Sequence, residues 1–218
     1  MSEVKIAVLD YGIGNLRSAE KALQHVGAAA RLVTDPREVE AADAVVLPGV
    51  GAFGACARAL RDSGLEPAAR KAIANGVPFL AVCIGFQLLY DGSDESPGVR
   101  GLGVFGGQVT PLAATVKHPQ MQWNQLDVIG DDSNGATGAS GSSGDPAPLR
   151  GLGDKPWVYF VRSYAPPVGA ETVAVCDYGG PVAALVAQDN VWGAQFHPEK
   201  SGRSGLALLA NFVALAAA

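Results

Sequence analysis

The sequence predicts an α/β fold: an open, mixed but mostly parallel sheet, covered by helices on both faces, with an antiparallel extension. Through the first half, short apolar runs alternate with runs of helical spacing. From about Gly101, strand-like runs follow one another with turns between them, and Ser201–Ala218 then returns to helix. Alternating β and α elements need crossovers and therefore parallel neighbours, whereas strands joined by turns pair antiparallel.

Val4–Asp10 is an apolar run, as expected of a strand buried on both faces. Asn15–Val26 has helical spacing, with Leu16, Ala19, Leu23 and Val26 on one face. Arg31–Thr34, Ala44–Leu47 and Pro78–Cys83 read as further strands, and Glu66–Ala74 as a helix stopped by Asn75-Gly76. The strand-like runs of the second half are Gln122–Ile129, Trp157–Ser163, Thr172–Cys176, Pro181–Ala187 and Val191–Phe196. Gly130–Pro148 has no bulky apolar residue to offset its ordering entropy, which predicts a flexible surface loop. No internal repeat is visible, and residues 1–218 are expected to form one domain.

The 218 residues are 48% hydrophobic and only 17% charged, enough for a substantial core. A net charge of −5 and a pI near 5.1 argue against a surface built mainly for nucleic acid. No apolar run has the length of a membrane helix, and the start of the chain lacks a signal-peptide pattern, so a cytoplasmic location is expected.

The three cysteines, Cys56, Cys83 and Cys176, form neither a disulfide framework nor a zinc-ligand spacing. Cys56 lies in a helix-like stretch and Cys176 in a strand-like one, and both read as small buried hydrophobes. Cys83 differs. It ends an apolar run where Gly85-Phe86-Gln87-Leu88-Leu89-Tyr90 begins a helix. A nucleophile on such a turn needs small residues two places to either side, here Ala81 and Gly85. Free N–H groups at the helix start favour thiolate. Read alone, the segment suits a nucleophile and a buried structural cysteine equally.

His197 follows the run Val191–Phe196, and Glu199 is placed to bond one imidazole nitrogen and leave the other for a thiol. His25 looks solvated, and His118 receives no role. The glycines of Leu47-Pro48-Gly49-Val50-Gly51-Ala52-Phe53-Gly54 would let backbone N–H groups approach an oxyanion. An ordinary glycine turn stays open, and the P-loop and Rossmann spacings are absent.

In this order, the Cys83 turn and His197-Pro198-Glu199 resemble the class I, triad-type glutamine amidotransferases, whose fold is flavodoxin-like. Other segments narrow the resemblance to the glutaminase subunits of imidazole glycerol phosphate synthase. These are Asp10-Tyr11-Gly12-Ile13-Gly14-Asn15-Leu16, Pro48–Gly54, Ser96-Pro97-Gly98-Val99, Met121 with Trp123-Asn124, Tyr159-Phe160-Val161, and Lys200-Ser201 after the H-P-E.

The resemblance implies that Cys83, His197 and Glu199 hydrolyse L-glutamine through a glutamyl thioester. It implies substrate contacts from Gly51, Gln87, Ser163 and Tyr164, and an oxyanion hole from the backbone of Val50, Gly51 and Ile84. It also implies a heterodimer with a (β/α)₈-barrel cyclase that receives the ammonia, with Trp123, Tyr159 and Lys200 facing that partner. Neither cofactor nor metal is expected. The chain departs from the family pattern at Ala81, where glycine is usual. It departs again at Gln120 and Gln122, in place of histidine and glycine, and at Arg162, in place of a frequent histidine. Rival readings are a glutaminase serving another synthase, a stand-alone cysteine hydrolase, and a non-catalytic regulatory homologue.

Overall fold

The structure is a computed structural model that describes residues 3–129 and 147–218. Its first half is a series of βα units: β1 (Lys5–Leu9), α1 (Leu16–His25), β2 (Ala29–Val33), α2 (Pro36–Glu40), β3 (Ala44–Gly49), α3 (Phe53–Asp62), α4 (Glu66–Ala74) and β4 (Phe79–Cys83). The single turn α5 (Ile84–Gln87) follows β4 without a linker. Short strands come next: β5 (Gly92–Ser93), β6 (Gln108–Pro111), β7 (Gln120–Gln125) and β8 (Asp127–Val128). The chain ends with β9 (Trp157–Arg162), β10 (Tyr164–Ala165), β11 (Thr172–Asp177), β12 (Pro181–Gln188), β13 (Val191–Ala194) and α6 (Gly202–Ala216).

The main sheet has eight strands in the order β2-β1-β3-β4-β13-β12-β11-β8. The first five are mutually parallel and the rest antiparallel, as the sequence predicts. The parallel part repeats the 2-1-3-4-5 order of flavodoxin-like sheets. The inner strands β3 and β4 are buried on both faces and have no exposed residue, which explains their unbroken apolar character. Helix α1 packs against α6, and α2 against α4. Among the described residues, no helix is long and apolar enough to cross a membrane.

The second half departs from the expectation in detail. The Gln122–Ile129 and Trp157–Ser163 runs do not simply extend the main sheet. They pair mostly with each other as a separate ribbon, β7-β9, and only β8 joins the main sheet, through β11. The alternation of β9 fits this role: Val158, Phe160 and Arg162 point inward, while Trp157, Tyr159 and Val161 lie on the other face. Strands β5, β6 and β10 form a third small sheet. The expected loop at 130–148 lies outside the described residues up to 146. Ala147 and Pro148 begin a 3-10 turn in which Pro148 is buried.

Candidate active site

Cys83 closes β4 with φ 57° and ψ −112°, a left-handed conformation rare for a residue with a side chain. The next residues turn at once into α5, which lifts the thiol above the C-terminal edge of the sheet. The turn tolerates no bulk. A Cβ on Gly85 would overlap the carbonyl of Leu47, and one on Gly49 would meet Gly85 N at 2.7 Å and the Tyr11 hydroxyl at 2.8 Å. Ala81 fits without exposure, between Leu47 and Gly193 in the strand register. Helix α5 is shorter than the sequence suggests. Residues 88–90 are turn and bend, so the N–H groups beneath the thiol belong to one helical turn and not to a long dipole.

Strand β13 brings the base to the same edge. Ala194 pairs with Val82, so Gln195 lies level with Cys83 and His197 just beyond. Pro198 starts a 3-10 turn that folds Glu199 back, and His197 Nδ1 lies 2.8 Å from Glu199 Oε1. That carboxylate oxygen also accepts from Asn15 Nδ2 at 3.1 Å. Asn15 occupies the N-cap of α1 and makes no side-chain capping bond; its Nδ2 donates to Glu199. The Ser201 hydroxyl donates to the His197 carbonyl at 2.7 Å and accepts from the Tyr159 N–H at 3.0 Å, which locks the turn against β9.

The electrostatics follow. Burial pushes the His197 pKa down, but the Cys83 sulfur and the Glu199 carboxylate raise it further, to about 10. Burial pushes Glu199 up, and the hydrogen bonds from His197 and Asn15 outweigh it, leaving the carboxyl below its ordinary value. With Glu199 on Nδ1, the other imidazole nitrogen is left for the thiol side. The thiol's own hydrogen bond goes to the Val161 carbonyl at a long 3.8 Å.

Cys83 and His197 share a cavity of about 300 Å³ with Val50, Gly51, Ile84 and Gln87, the lower end of the range for small-molecule sites. Ser163, Tyr164, Glu95 and Lys200 complete the wall. Every expected substrate and oxyanion residue therefore borders one space. Gln87 Nε2 donates to the Tyr164 carbonyl and to Gln195 Oε1, both at 3.1 Å. Its Oε1 is buried with no partner among the described residues. Glu95 Oε2 accepts from the Phe53 N–H at 2.7 Å, tying the carboxylate to the start of α3. A thiol, a carboxylate-oriented imidazole and free N–H groups around one cavity form an arrangement suited to acyl transfer from an amide. Among the described residues, no group of three His, Cys, Asp or Glu side chains is arranged to hold a metal.

Trp123, Tyr159 and Lys200 are grouped beside this cavity. Trp123 and Tyr159 pair across the ribbon with ring centroids 6.0 Å apart, Trp123 lies near Gly202, and Lys200 is exposed at the cavity wall. Two departures from the family pattern meet: Arg162 Nε donates to Gln120 Oε1 at 2.7 Å, and the other guanidinium nitrogens bond the Ala183 carbonyl and Cys176 Sγ. Both side chains are buried, so the replacements form one packed unit. Reading the sequence for chemistry missed Asn15 and Glu95. Asn15 stood within a motif noted only for resemblance, and Glu95 adjoined another.

The family described as "Glutamine amidotransferase class-I" matches residues 7–216. The "Imidazole glycerol phosphate synthase subunit HisH" of Deinococcus radiodurans is 43% identical over 212 residues, covering 95% of this chain and 92% of that protein. The protein of the same name from Methanothermobacter thermautotrophicus is 44% identical over 209 residues, covering 95% of this chain and 97% of that protein. A crystal structure of a glutamine amidotransferase superposes with a TM-score of 0.73 at 24% identity, covering 98% of this chain and 99% of the other, and so supports the fold. The fold, the match along nearly the whole chain and relatives above 40% identity place this chain in the class I glutamine amidotransferase family, among the HisH subunits of imidazole glycerol phosphate synthase.

Proposed function

We propose that this chain hydrolyses L-glutamine to glutamate and ammonia, with Cys83 as nucleophile, His197 as proton carrier and Glu199 as the group that orients it. The observation that carries the reading is the convergence, on one cavity, of a strained Cys83 and a His197 held by Glu199 at 2.8 Å. Cys83 thiolate attacks the side-chain amide carbon. Backbone N–H groups of Ile84 and of the Val50–Gly51 turn receive the oxyanion. His197 gives its proton to the leaving ammonia, and a glutamyl thioester remains. His197 then takes a proton from water, which attacks the thioester and releases glutamate and the thiol. The Glu95 carboxylate suits the substrate's α-ammonium, and Gln87 and the Ser163–Tyr164 segment bound the same end. None of these steps calls for a cofactor or metal.

The names of the relatives support a place for this chain in a synthase. The ammonia would pass to a (β/α)₈-barrel cyclase partner in a cytoplasmic heterodimer, which makes imidazole glycerol phosphate and aminoimidazole carboxamide ribotide for histidine synthesis. Trp123, Tyr159 and Lys200 would face that partner. Glutamate release, measured with and without the cyclase and its ligand, tests the reading. Wild type should respond to the complete partner, and Cys83→Ala should lose at least about a thousandfold. Equal rates for wild type and Cys83→Ala under every condition would remove the enzymatic reading, and full-speed hydrolysis without the partner would remove the synthase reading.

A further inference from the structure

Arg162 is 4% exposed and borders the same cavity as Cys83. It directly follows Val161, whose carbonyl accepts from the Cys83 thiol. Its guanidinium is fixed by three acceptors, none of them a carboxylate. Nε donates to Gln120 Oε1 at 2.7 Å, Nη1 to the Ala183 carbonyl at 3.0 Å and Nη2 to Cys176 Sγ at 2.9 Å. The central carbon lies 4.6 Å from the centroid of the Phe160 ring. Among the described residues Arg162 forms no ion pair. Asp177, the residue after Cys176, is exposed and accepts from the Gly180 N–H.

A buried cation without a counter-ion is costly, and its field is screened less than that of a surface charge. Burial pushes the Cys176 pKa up by more than Arg162 and Gln120 lower it, so that thiol stays neutral and does not cancel the charge. Burial lowers Arg162 as well, but a guanidinium keeps its proton inside proteins. Cys83 is close enough to Arg162 to interact with it. The other titratable groups about the thiol are His197 with Glu199 behind it, Glu95 and Lys200 on the cavity wall, and Tyr11 and Cys56 beneath the glycine turn. Of these, His197 and Lys200 carry positive charge. His197 gives up its proton in the reaction, and Lys200 is exposed. The charge on Arg162 neither leaves nor faces bulk water.

We infer that Arg162 is a positioning residue of the reaction, whose fixed positive charge favours the Cys83 thiolate over the thiol. This rests on the nucleophile assigned under the glutaminase reading. Gln120 belongs to the same device, because a neutral amide oxygen holds the guanidinium without cancelling its charge as a carboxylate would.

Two alkylating reagents test it. Iodoacetamide is neutral and iodoacetate is anionic, they are close in size, and both need the same access to Cys83. Their rate ratio therefore reads the charge around the sulfur and cancels changes in access or in thiolate content. Rates are followed on the Cys83 peptide by mass spectrometry in the full chain carrying Lys200→Met, in about 0.5 M salt, where exposed charges are screened. Adding Arg162→Met should lower the iodoacetate-to-iodoacetamide ratio about tenfold, as between unit charges at an effective dielectric constant of about 20. It should also slow iodoacetamide itself, since less thiolate is present. Arg162→Lys should recover most of both losses. Gln120→Glu keeps the shape and the bond but pairs the charge, so it should lower the ratio too, and it decides the matter if Arg162→Met does not fold. A ratio unchanged in Gln120→Glu or in folded Arg162→Met, equal falls in Arg162→Met and Arg162→Lys, or a fallen ratio with iodoacetamide labelling undiminished would overturn the proposal. If the wild type assembled with its partner releases no glutamate, the glutaminase reading fails, and the labelling ratio still decides the role of Arg162.

Discussion

Glu199 Oε1 accepts from both Asn15 and His197, which makes this carboxylate the most constrained polar group of the candidate site. Its ion pair with His197 gives stability a defined pH window. His197 rises from an ordinary 6.5 to about 10, so its contribution is complete below 6.5 and is lost as pH rises toward 10. Glu199 is lowered from an ordinary 4.5, so its contribution is present above 4.5 and is lost as pH falls through the lowered value. The melting temperature of wild type should therefore exceed that of Glu199→Gln most between these ordinary values, with a gap that closes toward alkaline pH. A gap constant from neutral pH to pH 10 would show that the pair is not charged as described. At this scale the sequence was legible where chemistry sits in a contiguous motif, as for Cys83 and for His197 with Glu199. It was silent on Asn15, whose partner lies 184 positions away, and on the meeting of Arg162 with Gln120. Such roles exist only after the chain has folded.

The elbow joining β4 to α5 holds the thiol in place, and its tightest point is backbone against backbone. Gly85→Ala would drive a methyl into the Leu47 carbonyl, which no rotamer change relieves. We expect a loss of about 1–3 kcal/mol in urea unfolding, together with a large loss of glutamate release. The control is Ala81→Gly, on the other side of the elbow. It should cost only about 0.5–1 kcal/mol through chain entropy and keep activity. If Gly85→Ala proves as stable and active as wild type, the elbow is not as tight as described. Elements of this kind were readable: β4 and α4 carry clear apolar runs and stop signals, and the structure places α4 at the expected residues Glu66–Ala74. The two-residue strands β5 and β10 were not, because two residues show no periodicity. Nor could the pattern of β9 reveal its partner, since alternation fixes which face is buried and not which strand lies alongside.

Across the whole molecule, the β7-β9 ribbon stands apart from a sheet otherwise covered by helices. One of its faces carries Met121, Trp123 and Trp157, exposed by 61%, 47% and 52%, with Tyr159 between the tryptophans on the same face. Leaving three large apolar side chains in water is costly, and a grouped patch of this kind marks a docking surface. The ribbon also touches the chemistry, because the Val161 carbonyl accepts from Cys83. A partner seated on this face would press on the strand that borders the thiol. Trp157 was not among the residues expected to face the partner, but it shares the ribbon face with Trp123 and Tyr159. Trp123→Ala and Trp157→Ala should each weaken association with the cyclase subunit by about thirtyfold or more in calorimetric titration, as for a buried aromatic anchor of about 2 kcal/mol. Because both side chains are exposed in the free chain, the unfolding free energy of each variant alone should stay within about 0.5 kcal/mol of wild type. Unchanged association in both variants would remove the ribbon as the docking face. A loss of association matched by a loss of stability would show that the tryptophans support the fold and not the interface.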